Sequence, residues 1–474
     1  MLVLLCAPLA AAQGSAPTET KPEAPTTLFL RGEKVIVRPG RVLENAAVLV
    51  TNGKITAVGT DLVKPDGARE LSAKVLCAGF IDPWSALGIS GDALRDAGTA
   101  PSTRAVDAAD AFADEHVRRE ALRAGVTSVR VQAGTTARVS GVGALLRVAP
   151  GLPMEAMVIE ADAALGMSIG LSANASNQGP TFEVVDGQVI QRDRGSRGMD
   201  PFDRIADVDR VTSTIEGGRN YLVSKNEYRH ELEEWQKKIA EKETELDKEF
   251  KKAKKDREKE EKDAKEKGKK FEEKKYKEDK KPQPPRFDED SEALAQVANG
   301  DLPLTVQVHR FAELHGLLAG TEKQDRLRLV LVGASESIPL ATRLVERQIP
   351  VILAPALNGR GAPDELEAAD LSLPARLSRA GVTVFLGSGG VDPAATRDLP
   401  LLVQMAIGNG FDRDQAFDAL TLGAARLFDA EDRVGSIERG KDADLLLLDG
   451  EPLSSAGRVQ YVISAGRIVV TPEG

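Results

Sequence analysis

Three times in the central part of the chain a helical pattern runs into Gly or Pro and then into a short run rich in Val, Ile and Leu. An amphipathic stretch over Asp107–Ala124 ends at Gly125 before VTSVRVQ. A helix predicted over Glu336–Arg347 leads to a strand over Pro350–Ala354, and one over Pro374–Ala380 leads to a strand over Val382–Leu386. This is the order of parallel βα units, whose helices cover the faces of a parallel sheet. The periodicity allows a closed barrel and an open doubly wound sheet alike.

The two ends of the chain read differently. From Leu28 to Val75 the sequence is made of short β segments, with Asn52-Gly53 between two of them. Both residues of a two-residue hairpin turn must take positive φ, which Asn and Gly tolerate, so this pair predicts a hairpin. Gly435–Val470 repeats the style, and the four leucines Leu445–Leu448 lie between Asp444 and Asp449, as in a strand buried on both faces. Two β-rich ends around an α/β middle predict one domain assembled from both termini.

At Cys77–Gly88, CAGFIDPWSALG, a hydrophobic strand ends in Gly79-Phe80-Ile81-Asp82-Pro83. This stretch resembles the first barrel strand of the amidohydrolase superfamily, in particular its exported, imidazolonepropionase-like members, in which Gly-Phe-Ile-Asp leads into a metal-binding His-x-His pair. The segment ALTLGAARLFDAEDRVGSIERGKDADLLLLDGEPL is similar to the family's C-terminal motif. The resemblance selects the barrel over the open sheet. It implies an α/β fold: a TIM-like (β/α)8 metal-dependent-hydrolase barrel over 81–429, a composite β-sandwich from 28–80 and 430–472, and a long charged helical insertion at 225–285.

Such hydrolases hold one or two divalent metals, zinc or another, at the C-terminal mouth of the barrel, where bound water is acidified and the scissile carbonyl polarised. The resemblance implies ligands in a His-x-His pair after the first strand, a lysine or glutamate after the fourth, histidines after the fifth and sixth, and an aspartate after the eighth. Carried over position by position, it puts Trp84 and Ala86 at the first pair and Gly166 at the fourth-strand lysine. Gln307 and His309 stand at the fifth-strand histidines, Gly333 at the sixth-strand histidine and Gly389 at the eighth-strand aspartate. A catalytic zinc normally needs three protein ligands with N, S or O donors, so these degenerate positions lead to the expectation that neither a metal nor another cofactor is held.

His309 and Asp392 are the remaining catalytic candidates. His309 reads first as a hydrogen-bonded strand-end residue and second as a ligand-recognition residue, and Asp392, before Pro393, reads first as a turn residue. Of the other histidines, His116 and His230 fall in helical patterns, whereas His315 is placed with His309 in a polar patch near the mouth. No Gly-x-Ser-x-Gly elbow, phosphate loop, paired-cysteine motif or dinucleotide fingerprint occurs.

In the segment Lys225–Lys281, Tyr228, Leu232, Trp235, Ile239 and Leu246 recur at steps of four and three with one gap at Lys242, and mixed-sign charge follows beyond Phe250. It reads as a protruding helical arm with its base docked on the barrel, the alternative being a coiled coil that binds a protein partner. A net charge of -10 argues against nucleic acid as a partner. The opening MLVLLCAPLAAAQG matches a signal peptide over 1–12, followed by a Pro/Thr-rich tether at 13–27. The chain is therefore expected to be exported, periplasmic or extracellular, and not an integral membrane protein. Cys77, alone after cleavage, is expected to be a small buried hydrophobe.

The leading functional expectation is a pseudoenzyme that binds a small-molecule ligand at the barrel mouth or a protein partner through 225–285. The alternatives are an active amidohydrolase that cleaves C–N bonds at a divergent site, and a scaffold acting through the arm. A homo-oligomer or pairing with an active relative is the candidate assembly.

Overall fold

The computed structural model describes residues 27–89, 91–94, 98–134, 137–170, 181–185, 188–192, 201–264, 280–354 and 370–472. The expected signal peptide, residues 1–12, and residues 13–26 of the expected tether lie outside them, while Thr27 already opens the first strand. The two ends of the chain share one sheet. Strands Thr27–Arg38, Arg41–Thr51, Lys54–Gly59 and Arg69–Ala78 join Leu445–Leu448, Val459–Ser464 and Arg467–Val470 in a single seven-stranded sheet. The halves meet where Arg69–Ala78 pairs antiparallel with Leu445–Leu448, Leu76 opposite Leu447.

Alternate leucines of the C-terminal run face opposite ways, since successive strand side chains point to opposite faces. Leu445 and Leu447 join the sheet's own core with Val48 and Val50, and Leu446 and Leu448 join the barrel core with Val75 and Cys77. The expected two-sided burial is therefore what cements sheet to barrel. Cys77 is a free, buried thiol whose pKa burial pushes up. Asn52 and Gly53 both take positive φ (51° and 80°) in the predicted hairpin.

The barrel strands are Phe80–Asp82, Val126–Val131, Val139–Arg147, Val158–Ser168, Leu304–Val308, Leu329–Gly333, Val351–Leu353 and Val384–Leu386, and they follow one another in this order around a nearly closed eight-stranded sheet. One part departs from the expected (β/α)8 pattern. The third strand is antiparallel to both its neighbours. The seven residues between Val131 and Val139 are too few for a crossover helix, which takes a dozen or more residues, so this part is a meander. The first and eighth strands are not joined by a ladder among the described residues. Asp82 bridges them instead, its Oδ1 accepting from Ser388 N at 3.1 Å and Trp84 N at 3.1 Å, and Gly389 N donates to Trp84 O at 2.9 Å.

The helix expected over Asp107–Ala124 is a 3-10 turn at Ala105–Ala108 and a separate helix at Glu115–Arg123, interrupted at Asp114, whose φ is +53°. The arm also differs from expectation. It is part of one 64-residue helix, Pro201–Ala264, whose buried apolar residues all precede Lys225 among those described. Val208, Val211 and Ile215 are buried there, and Arg204–Glu313 at 2.6 Å and Lys225–Glu292 at 2.7 Å hold the helix to its neighbours. Beyond Lys225 the predicted seam residues Tyr228, Leu232, Trp235 and Ile239 are half-buried, and the side chains of Leu246 and Phe250 lie outside the described residues. No described helix is long and apolar enough to cross a membrane.

Candidate functional site

The ends of the first, fifth, sixth, seventh and eighth strands surround a cavity of about 330 Å³ at the barrel mouth. Trp84, Gln307, His309, Gly333 and Gly389 line it together with Asp392, so most of the residues singled out in the sequence do converge. Ala86 and Gly166 do not line it. Ala86 packs into the core outside the barrel strands, with Leu87 and Ile89. Gly166 is covered: a Cβ there would stand 2.5 Å from Oε1 of Gln132, a buried side chain that no sequence motif singles out.

Trp84, 6% exposed, belongs to the apolar cluster inside the barrel, with Ile81, Val332, Ile352 and Phe385. Its indole is pressed against Gly390. It therefore roofs the barrel interior and leaves the cavity open above it. His309, also buried, bonds through Nδ1 to Ser335 Oγ at 2.8 Å, and its ring lies against Gly333. Burial pushes its pKa down, opposed by the charges of Glu313 and Glu336, so the imidazole is neutral near pH 7.

Asp392 caps the 3-10 turn at Pro393–Asp398, accepting from Ala394 N at 2.9 Å, which is its turn reading rather than its catalytic one. His315 is exposed on the helix Phe311–Gly320, its ring 6.1 Å from that of Phe311, and is not in the cavity lining. His116 and His230 are exposed helix residues, each beside a glutamate one turn on.

A metal, which the fold implies, can be tested against these residues. The space a histidine at 333 would need is filled by the His309 ring, and Gly333 has φ of +86°, where a side chain is strained. The space for a lysine at 166 is filled by Gln132. Among the described residues no three of His, Cys, Asp and Glu come together in a group that could hold a metal ion. The donors at the described mouth do not fit a catalytic metal.

Asp82, under this mouth, has a feature the sequence does not announce. Its Oδ2 is buried without a partner, and burial lifts its pKa to about 7 against the hydrogen bonds from Ser388 and Trp84. A carboxyl raised in the folded state stabilises the fold fully below its unfolded pKa of about 4, and that contribution is lost as pH rises towards the folded value. Asp82→Asn keeps an oxygen for both N–H donors and cannot ionise. Relative to that variant, the wild type is expected to lose on the order of 2–4 kcal/mol between about pH 4 and pH 8. Urea unfolding of both proteins across this range measures the difference, and parallel curves would contradict the assignment.

Residues 326–469 match the sequence profile of the Amidohydrolase family. Comparison with curated proteins finds no match. Among solved structures, an amidohydrolase from Thermotoga maritima MSB8 is 23% identical, with 94% of this chain and 100% of that one covered and a TM-score of 0.66. A prolidase complexed with N-methylphosphonate-L-proline is 16% identical over 94% and 99% of the two chains, with a TM-score of 0.49. An A. niger ochratoxinase is 16% identical over 95% and 97%, with a TM-score of 0.48. The fold is that of the amidohydrolase superfamily, and the C-terminal part of the chain carries the family match.

Proposed function

We propose that this chain is an exported amidohydrolase-fold protein that has given up metal-dependent hydrolysis and binds a small ligand at the barrel mouth. The observation that carries the reading is the pair of filled positions: His309 occupies the space over Gly333, and Gln132 that over Gly166. Each replacement is packed, so recovering a ligand set takes several coupled changes rather than one. The cavity itself supports ligand binding, since a concave, partly apolar pocket with a few polar groups is the usual form of such a site.

A scaffold role for the arm is the second reading. It is favoured by the half-buried seam of Tyr228, Leu232, Trp235 and Ile239 on a helix that runs to Ala264, and its partner would be another protein, a second copy or an active relative. An active C–N hydrolase at a divergent site has the family match in its favour.

If the mouth holds no metal, a strong chelator leaves the melting temperature unchanged, because nothing that binds only the folded state is withdrawn. A bound metal would show itself as a fall of several degrees on chelation and recovery on adding zinc or manganese, and that result sinks the reading. Dipeptide and N-acyl amino acid turnover is expected to be absent with and without added metal.

A further inference from the structure

We propose that Ser335 and His309 form a nucleophile and base pair that accepts an acyl group from a small uncharged ester bound in the barrel-mouth cavity. This goes beyond ligand binding, rests on the same cavity and needs no metal.

The pair is held by the backbone. Ser335 follows Gly333 and Ala334, two successive residues with positive φ (86° and 42°) at the end of the sixth strand. Alanine rarely adopts that conformation, and such strain persists only where the surroundings impose it. Ala334 N donates to Val308 O at 2.7 Å, and Glu336 N donates to His309 O at 3.0 Å. The turn that presents Ser335 is thus pinned to the strand end that presents His309. Their side chains meet at 2.8 Å, and both line the cavity.

A serine hydroxyl is a weak nucleophile until a base within hydrogen-bond reach can take its proton. His309 is neutral by burial and, with its proton on Nε2, offers Nδ1 as that base. Ser335 Oγ attacks the ester carbonyl carbon as its proton passes to His309 Nδ1. The C–O bond to the leaving alkoxide or aryloxide then breaks, that oxygen takes the proton from the imidazolium, and the acyl group stays on Ser335. Water hydrolyses this ester by the reverse relay, its proton passing to Nδ1 and then back to Ser335 Oγ. Gln307 also lines the cavity, and its amide NH2 is the donor proposed for the oxyanion.

The cavity also selects the acyl group. Leu353, Leu373 and Leu402 give it an apolar patch. Asp370, Asp392 and Asp398 also line it against one lining cation, Arg397, which is shared between Glu120 at 2.5 Å and Asp398 at 3.7 Å, while Arg376 holds Asp370 at 2.8 Å. An anionic acyl chain is disfavoured there, and a short neutral one fits.

The test is p-nitrophenyl butyrate mixed with the whole protein in chelator, with nitrophenolate release followed from the first milliseconds and the acyl group located by peptide mass spectrometry. A burst near one equivalent with butyryl on Ser335 is expected. Ser335→Ala should abolish the burst, and His309→Asn should slow acylation about 100-fold or more, the scale of a general base. No burst, an equal burst in Ser335→Ala, or butyryl on another residue overturns the proposal, and the mapping needs no variant to fold. Metal content of the same preparation, measured before any chelator is added, separates the two readings: metal-free protein without a burst fails this one alone, and metal-bearing protein without a burst fails both.

Discussion

Arg147→Met is expected to destabilise the fold by about 3–5 kcal/mol, because it strips a buried ion-pair cluster of its central cation. Arg147 lies on the third barrel strand and is 2% exposed. Its Nε donates to Asp444 at 3.0 Å and 3.1 Å, its Nη2 to Asp442 at 2.6 Å, and its Nη1 to the carbonyl of Ala156. Burial alone would push the guanidinium pKa down, and the two carboxylates push it up beyond that. Asp442 and Asp444 precede the four-leucine strand, so this cluster ties the barrel to the sheet. Arg433 and Lys54 also reach Asp442, and Ser464 reaches Asp444, but none can take over both carboxylates. The control is Arg328→Met, which removes a partner of the exposed Arg328–Asp429 pair at 2.6 Å and should cost no more than about 1 kcal/mol. Equal small losses in both variants, measured by denaturant unfolding, would show that the cluster does not join the two parts.

Trp84→Ala is the second large effect, at about 3–5 kcal/mol for a buried aromatic truncated to a methyl. The indole roofs the apolar interior of the barrel, and the main chain at Trp84 is bonded to the eighth-strand loop through Gly389 N and the Asp82 carboxylate. Removing the ring opens the interior to the cavity above, where the adjacent glycines cannot close the gap. In Trp235→Phe, Trp84 is the one remaining tryptophan, and its emission should resist iodide. Free quenching there, with a loss below about 1 kcal/mol in Trp84→Ala, would mean that the ring is not packed as described.

How far the sequence led depended on how local each signal was. Asn52-Gly53 and Leu445–Leu448 carry their conformations in adjacent residues, and both behave as read. The break at Asp114 escaped notice because the apolar spacing around it continues without a Gly or Pro to mark it. The antiparallel third strand went unread, because no local signal marks the start of Val139–Arg147 and the short interval after Val131 has meaning only when both ends are known. At the mouth, Trp84, Gln307, His309, Gly333 and Gly389 were found through resemblance and do converge. Gln132 and the partnerless oxygen of Asp82 depend on what lies across the barrel, which spacing along the chain does not report. Ser335 had one local cue, the Gly333-Ala334 pair before a polar run. That cue lacks the second glycine of the familiar elbow and says nothing until His309 is seen beside it.

In the proposed function an amidohydrolase fold persists around a mouth that holds no metal. Elemental analysis of the purified protein, dialysed against metal-free buffer but never exposed to chelator, addresses it most directly. Zinc, manganese, iron, cobalt and nickel are all expected far below one equivalent per chain. Close to one or two equivalents of any of them, with amide hydrolysis that disappears on chelation and returns with the metal, would contradict it.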